Sequence, residues 1–176
     1  MIIQIISDIS KTVDSLIILD RDDTLISDSG GEAHFSKFKI NNELVNYLKE
    51  YASKVSFAVA TNQSYIEKGI TDHNTLIKFH NDMSIQLNTM HLPLKAIAYC
   101  PHLTKRNESL NCSCRKPGNA MLEALISLFR IEANRTLFIG NRDSDLQAAL
   151  KSGTFYCDVK NVVSDNYLDR WLDQKC

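Results

Sequence analysis

The chain has 176 residues, 44% of them hydrophobic and 23% charged, with a formal net charge of −1. That is the make-up of one globular domain with a real core, and it excludes a general electrostatic attraction to nucleic acid or to an anionic membrane surface. No apolar run approaches the roughly 18 residues of a membrane span, and like charges never cluster in a block.

The opening MIIQIISDIS alternates in polarity and reads as an extra strand or a packed N-terminal arm. It lacks the basic region and small-residue cleavage site of a secretory leader, so a cytoplasmic protein is expected. Residues 15–20, SLIILD, form the first long apolar strand and run straight into Asp20, Asp22 and Asp23. Carboxylates crowded at the end of a buried strand repel one another and must be desolvated, so a cation is expected beside them. The two-residue spacing of Asp20 and Asp22 points both side chains the same way and turns Arg21 to the other side. One carboxylate can then attack an electrophile while the other handles protons. An Asp-rich capping turn is the plainer reading of the same residues.

A helix over 42–52 leads to a second strand, 55–60, and then to Thr61-Asn62-Gln63-Ser64. Those hydroxyls and amides can hydrogen-bond a phosphate, or they can simply cap a turn. A helix over 73–90 precedes a third strand, 95–99, followed at once by Cys100 and His102, with Cys112 and Cys114 close behind. Three thiols and one imidazole suit a closed tetrahedral Zn²⁺ site of structural type, expected to fold the loop TKRNESLNCSCRKP. In a chain with no export signal, clustered cysteines suggest a metal before a disulfide. Arg115 and Lys116 follow, two cations able to neutralise a phosphoryl group or to quiet the carboxylates, or else a solvated basic pair.

Helices over 118–130 and 143–151 flank a fourth strand, 136–139, which ends in Gly140, Asn141, Arg142, Asp143, Ser144 and Asp145. A last strand, 154–159, and a helix near 165–174 close the chain. Apolar strands alternating with helices predict an α/β fold, a mostly parallel sheet with helices on both faces. Such sheets bind ligands beyond the carboxyl ends of their strands, where this chain gathers its polar chemistry. His34, His73, His80 and His91 are expected to be surface or packing residues, and Cys157 and Cys176 ordinary packing and tail residues.

DRDDT, TNQS, CRKP and GNRDSD, in that order, resemble the four motifs of the haloacid dehalogenase (HAD) superfamily of phosphatases. The likeness is greatest to the D-glycero-D-manno-heptose 1,7-bisphosphate 7-phosphatases and the related histidinol-phosphate phosphatases, and spans about residues 15 to 160. It implies a Rossmann-like domain over 1–176, with 1–14 as an N-terminal extension, 100–114 as a zinc loop and no separate cap domain. It implies Mg²⁺-dependent hydrolysis of a small phosphosugar through an aspartyl-phosphate. By this resemblance Asp20 is the nucleophile, Asp22 the general acid and then base, Thr61 the phosphoryl-binding hydroxyl and Lys116 its electrostatic partner. Asn62, Arg115 and Arg142 would bind substrate, and Asp20, Asp22, Asn141 and Asp145 would surround Mg²⁺. The same pattern of cysteines and histidine occurs in the heptose group, where it implies zinc on Cys100, His102, Cys112 and Cys114. A phosphosugar of a cell-surface polysaccharide pathway, handled by a monomer, completes the expectation.

The chain departs from the family pattern at several places. Asp23 stands where glycine is usual, a place where a positive φ is expected. Ile26 and Tyr65 replace the usual residues and are expected, with the zinc loop, around the substrate mouth. Segment 28–40 is the other candidate cover. Asn141 stands where a metal-binding aspartate is usual, and a neutral amide oxygen holds a hard cation more weakly. Asp143 is acidic and near but is expected to point elsewhere. Two classes of function stay open: a phosphatase with a weakened metal site, for a heptose or for histidinol phosphate, and a degenerate domain that binds a phosphorylated ligand or a partner without turnover.

Overall fold

The computed structural model of the protein describes residues 1–10, 13–27, 38–103, 112–163 and 166–173. The apolar run LIIL becomes strand β2, Leu16–Leu19, every residue of which is buried. Side chains on both its faces need cover, which a central parallel strand receives from helices on either side. Strands β3 (Ser56–Asn62) and β5 (Thr136–Gly140) flank it in parallel. Beyond them lie β4 (Leu94–Cys100) and β6 (Phe155–Asp158), also parallel to their neighbours. The opening residues form β1 (Ile2–Ile5), which joins β4 antiparallel, and the sheet order is β1-β4-β3-β2-β5-β6. Leu19 pairs with Val59 on one side and Ile139 on the other, so the carboxyl ends of the three central strands are level.

Alternation along the strands splits the core in two. Ile17, Leu19, Phe57, Val59, Ile97, Tyr99, Leu137 and Ile139 face one side. They meet α1 (Asn42–Leu48), α2 (His73–Thr89) and α6 (Tyr167–Asp173), which contribute Leu48, Leu76, Met83 and Trp171 among others. The opposite face carries Ala58, Ala60, Ala96 and Ala98, small residues that let α3 (Ala120–Phe129) lie close with Leu122 and Leu125, beside α4 (Asp143–Ser152). Fully burying each large side chain is worth on the order of 2 kcal/mol. No helix among the described residues is long and apolar enough to cross a membrane.

The expected elements are all present, with shifted ends. The second strand runs on to Asn62, which places Thr61 and Asn62 in register with Tyr99 and Cys100 instead of in a capping turn. The helix expected over 42–52 changes at Leu48 into a 3-10 turn, Lys49–Tyr51, and the one expected from 118 starts at Ala120. A short helix, α5 (Val159–Val162), follows β6 without having been foreseen. Residues 28–37 and 104–111, the greater part of the two expected covers, lie outside the described residues, as do His34 and Cys176.

Candidate active site and a Cys/His tetrahedron

Beyond β2 the chain turns tightly around the carbonyl of Arg21, which accepts from the N–H groups of Leu25 and Ile26. Asp23 makes the bend in the left-handed region, φ +57°, the conformation expected where glycine is usual. Asp20 and Asp22 line one cleft of about 340 Å³. Asp20 is almost completely buried, and desolvation raises its carboxyl from 3.8 to about 6, helped by the charges of Asp145 and Asp22 and opposed by Lys116. A larger cavity of about 710 Å³, between Ile9, Ser10, Val13 and Asp14 and the end of α3, is lined by apolar residues and by scattered surface charges such as Asp14 and Arg135.

Lys116 quiets the carboxylates. Its Nζ donates to Asp20 Oδ1 at 2.6 Å and to the Ala60 carbonyl at 2.9 Å, and lies 2.7 Å from Asp145 Oδ1. Two ammonium hydrogens are thus hydrogen-bonded, and the contact with Asp145 is an ion pair. Asp20 Oδ2, in contrast, carries no hydrogen bond among the described residues. Asn62, expected to bind substrate, lines the cleft, and its amide is engaged with backbone. Its Oδ1 accepts from the Lys116 N–H at 3.0 Å and its Nδ2 donates to the Lys116 carbonyl at 3.1 Å. It clamps the backbone of the cleft lysine across 54 positions of sequence.

Asp145, expected beside Mg²⁺, also has partners of its own. Its Oδ2 accepts the N–H groups of Asn141 and Arg142, at 3.2 and 3.1 Å, at the start of α4. Oδ1 lies in an ion pair with Lys116 but has no hydrogen-bond partner among the described residues, so the carboxylate is a helix cap and counter-ion with one oxygen still open. Gly140 makes this possible, because a Cβ there would lie 2.6 Å from the Asp145 side chain. Asn141 Oδ1 is a buried acceptor with no hydrogen-bond partner among the described residues. Such an orphan oxygen asks for a cation. Asn141 follows β5 two residues past Ile139, the register partner of Leu19, so it stands at the same end of the sheet as the buried Asp20 carboxylate, and both offer oxygen donors of the kind that a hard cation such as Mg²⁺ takes. Asp143 faces away and accepts from Gln147.

At the rim, Arg142 Nη2 reaches Asp23 Oδ2 at 3.4 Å, and Arg115 Nη1 donates to the His102 carbonyl at 3.0 Å. Both arginines line the cleft, as do Tyr65 and Lys68. Ile26 does not. It is buried in the core and bridges Asp22 to Ile40, a correction to its expected place at the mouth.

Cys100, His102, Cys112 and Cys114 meet in space. The six distances among their three Sγ atoms and the imidazole Nδ1 run from 2.9 to 3.6 Å, the six edges of a small tetrahedron. A Zn²⁺ with thiolate bonds of about 2.3 Å needs edges of roughly 3.8 Å, so slight expansion seats it. All the cysteines are free thiols among the described residues. Burial pushes the Cys112 thiol up, but hydrogen bonds from Cys114, from backbone N–H groups and from His102 outweigh it and bring it down to about 6.

Sequence reasoning missed three residues. Arg21, turned away from the cleft, is completely buried and grips Asp22 with Nε at 2.8 Å and Nη2 at 3.1 Å. His80, expected at the surface or in packing, is completely buried with Nε2 3.2 Å from Arg21 Nη1. Gln63 donates from Nε2 to both Asp22 Oδ2 and Thr61 Oγ, each at 2.8 Å. Since Thr61 accepts there, its own hydroxyl hydrogen is left to donate elsewhere. Only the position of Gln63, inside the TNQS run, hinted at a role. His73 does pack, with Nδ1 3.0 Å from the Tyr99 hydroxyl, and Cys157 is buried as expected.

A HAD-hydrolase-like family model matches residues 113–166. The D-glycero-beta-D-manno-heptose-1,7-bisphosphate 7-phosphatase of Haemophilus influenzae is 30% identical over 138 residues, 76% of this chain and 74% of that protein. The enzyme of the same name from Pseudomonas putida is 31% identical over 163 residues, 90% of each chain. Among solved structures, the D,D-heptose 1,7-bisphosphate phosphatase of B. bronchiseptica, complexed with magnesium and phosphate, superposes with a TM-score of 0.68. It is 24% identical, over 88% of this chain and 99% of that one, which is a likeness of fold.

Proposed function

The chain belongs to the heptose-bisphosphate phosphatase family of the HAD-like hydrolases, and from that premise we propose that it hydrolyses a small phosphosugar monoester through an aspartyl-phosphate on Asp20. The observation that carries this reading is the floor of the cleft, where a buried carboxylate is held by a lysine that also pairs with Asp145, and keeps one oxygen without a hydrogen bond among the described residues. Above about pH 6 that carboxylate is mostly ionised and nucleophilic. Thr61 donates its hydroxyl hydrogen to the phosphoryl oxygens. Asp22, steadied by Arg21 and Gln63, protonates the departing sugar oxygen and then takes a proton from the water that cleaves the aspartyl-phosphate. Asp20, the Asp22 carbonyl and Asn141 would hold Mg²⁺, which when bound screens the charge between the phosphoryl group and Asp20. Asp145 acts behind them by fixing Lys116 and the Asn141 N–H. Arg115, Arg142 and Lys68 supply positive charge at the mouth for an anionic substrate.

The reading covers residues 1–176 as one HAD-like domain, with 100–114 as a structural zinc loop, acting in the cytoplasm as a monomer. The substrate is a heptose bisphosphate or a close phosphosugar, in the service of a surface polysaccharide. Histidinol phosphate is the alternative substrate. The neutral Asn141 favours a second reading, a domain that keeps the cleft for binding without turnover. Phosphate release is measured over a panel of phosphosugars and histidinol phosphate while Mg²⁺ is varied. Turnover that saturates only at high Mg²⁺, disappears in Asp20→Asn and needs less Mg²⁺ in Asn141→Asp is expected. No turnover by the natural protein, with activity appearing only in Asn141→Asp, establishes the binding domain instead.

A further inference from the structure

We propose that Arg21, His80 and Gln4 are positioning residues for Asp22, forming a buried relay that runs from edge strand β1 through helix α2 to the cleft. The proposal rests on the reading of Asp22 as the acid that protonates the leaving oxygen.

Arg21 and His80 are both completely buried, and burying a guanidinium demands that its donors be satisfied. Two of its nitrogens bind the two Asp22 oxygens in a planar fork. The third, Nη1, faces His80 Nε2 at 3.2 Å. A guanidinium can only donate, so Nε2 must accept and the imidazole is neutral. Its hydrogen then sits on Nδ1 and donates to Gln4 Oε1 at 3.2 Å. The Gln4 amide is oriented in turn, since its Nε2 donates to Asn81 Oδ1 at 2.8 Å. The Phe79 ring, 4.9 Å from the Arg21 guanidinium carbon, covers a face of the cation, and the Tyr99 ring stands edge-on to His80 at 5.5 Å. Each link fixes the next, and no proton travels along the chain. What the relay transmits is direction, holding the Asp22 fork in one plane to within the tolerance that proton transfer demands.

An alkyl phosphate needs its leaving oxygen protonated, and p-nitrophenyl phosphate does not. A relay that positions the acid therefore affects the two unequally, whereas a structural residue affects both alike. For D-glycero-D-manno-heptose 1,7-bisphosphate, His80→Phe is expected to lower kcat/KM by about 10- to 100-fold, part of the range of general-acid catalysis. For p-nitrophenyl phosphate the loss stays below about 3-fold, since no acid is needed there. His80→Gln, which keeps an acceptor towards Arg21, recovers most of the loss. Asp22→Asn is run in parallel. If it shows the leaving-group bias and His80→Phe does not, the relay is overturned and the role of Asp22 stands. If Asp22→Asn shows no bias, or the natural protein turns over neither substrate, the acid assignment falls and takes the relay with it. One measurement needs no variant: imidazole ¹⁵N spectra of the natural protein should show His80 neutral and protonated at Nδ1. A ring protonated at Nε2, alone or at both nitrogens, overturns the proposal.

Discussion

Replacing Asp20, the proposed nucleophile, is expected to stabilise the protein. Asp20 titrates at about 6 against 3.8 in the unfolded chain, so near neutral pH its ionised form is disfavoured by about 3 kcal/mol. The buried group holds Asp20 and Asp145 against Lys116 alone, two carboxylates to one cation. Asp20→Asn keeps an acceptor for Lys116 Nζ and leaves one charge against one. In protein without added Mg²⁺, but with zinc retained, thermal melts at pH 7.5 should show Tm raised by about 6–12 °C, taking 2–4 °C per kcal/mol for this size. Because the folded state binds the extra proton, the natural protein loses stability as pH rises through the window from about 4 to 6. The advantage of the variant therefore shrinks to about half at pH 5. Saturating Mg²⁺ should raise the Tm of the natural protein more than that of the variant. A Tm gain that is flat with pH, or a loss at pH 7.5, would refute the argument that burial opposes the Asp20 charge.

Gly140→Ala drives a methyl group into the Asp145 side chain and should destabilise by about 1–3 kcal/mol in urea titrations, with phosphate release falling alongside. Asp23→Gly keeps the φ of +57° without strain and should leave Tm unchanged or slightly raised, while Asp23→Val, β-branched in the left-handed region, should lose about 1–2 kcal/mol. Metal analysis should find about one zinc per chain. Cys114→Ser should release it and lower Tm, and zinc-free protein of unchanged stability would remove the tetrahedral site.

The sheet was legible because its strands are unbroken apolar runs, LIIL and SFAVA, whose only cover is a helix on each face. Their ends were less so, since Thr61 and Asn62 are polar yet continue β3 by pairing with β4. The cysteines and His102 could be placed together because fifteen positions contain all four. What escaped was the partnering of polar residues over long distances. Lys116 and Asp20 are 96 residues apart, and Arg21 and His80 are 59 apart. A polar side chain at a strand end has the same appearance in sequence whether it meets a ligand, as was expected of Asn62, or another stretch of backbone. Arg21 was correctly turned away from the cleft, but the away side proved to be the core, where a histidine on α2 awaits it.

The charge balance around Lys116 also sets the order in which this site can decay over generations. A lineage released from selection for turnover can lose Asp20 with no penalty to folding, and the domain persists with its cleft nearly intact. It cannot lose Lys116 first, because two buried carboxylates would then face each other without a cation, a defect of about 3–5 kcal/mol. Descendants that keep the lysine and lack the aspartate are thus the ones such a lineage leaves behind, and the reverse combination should be scarce.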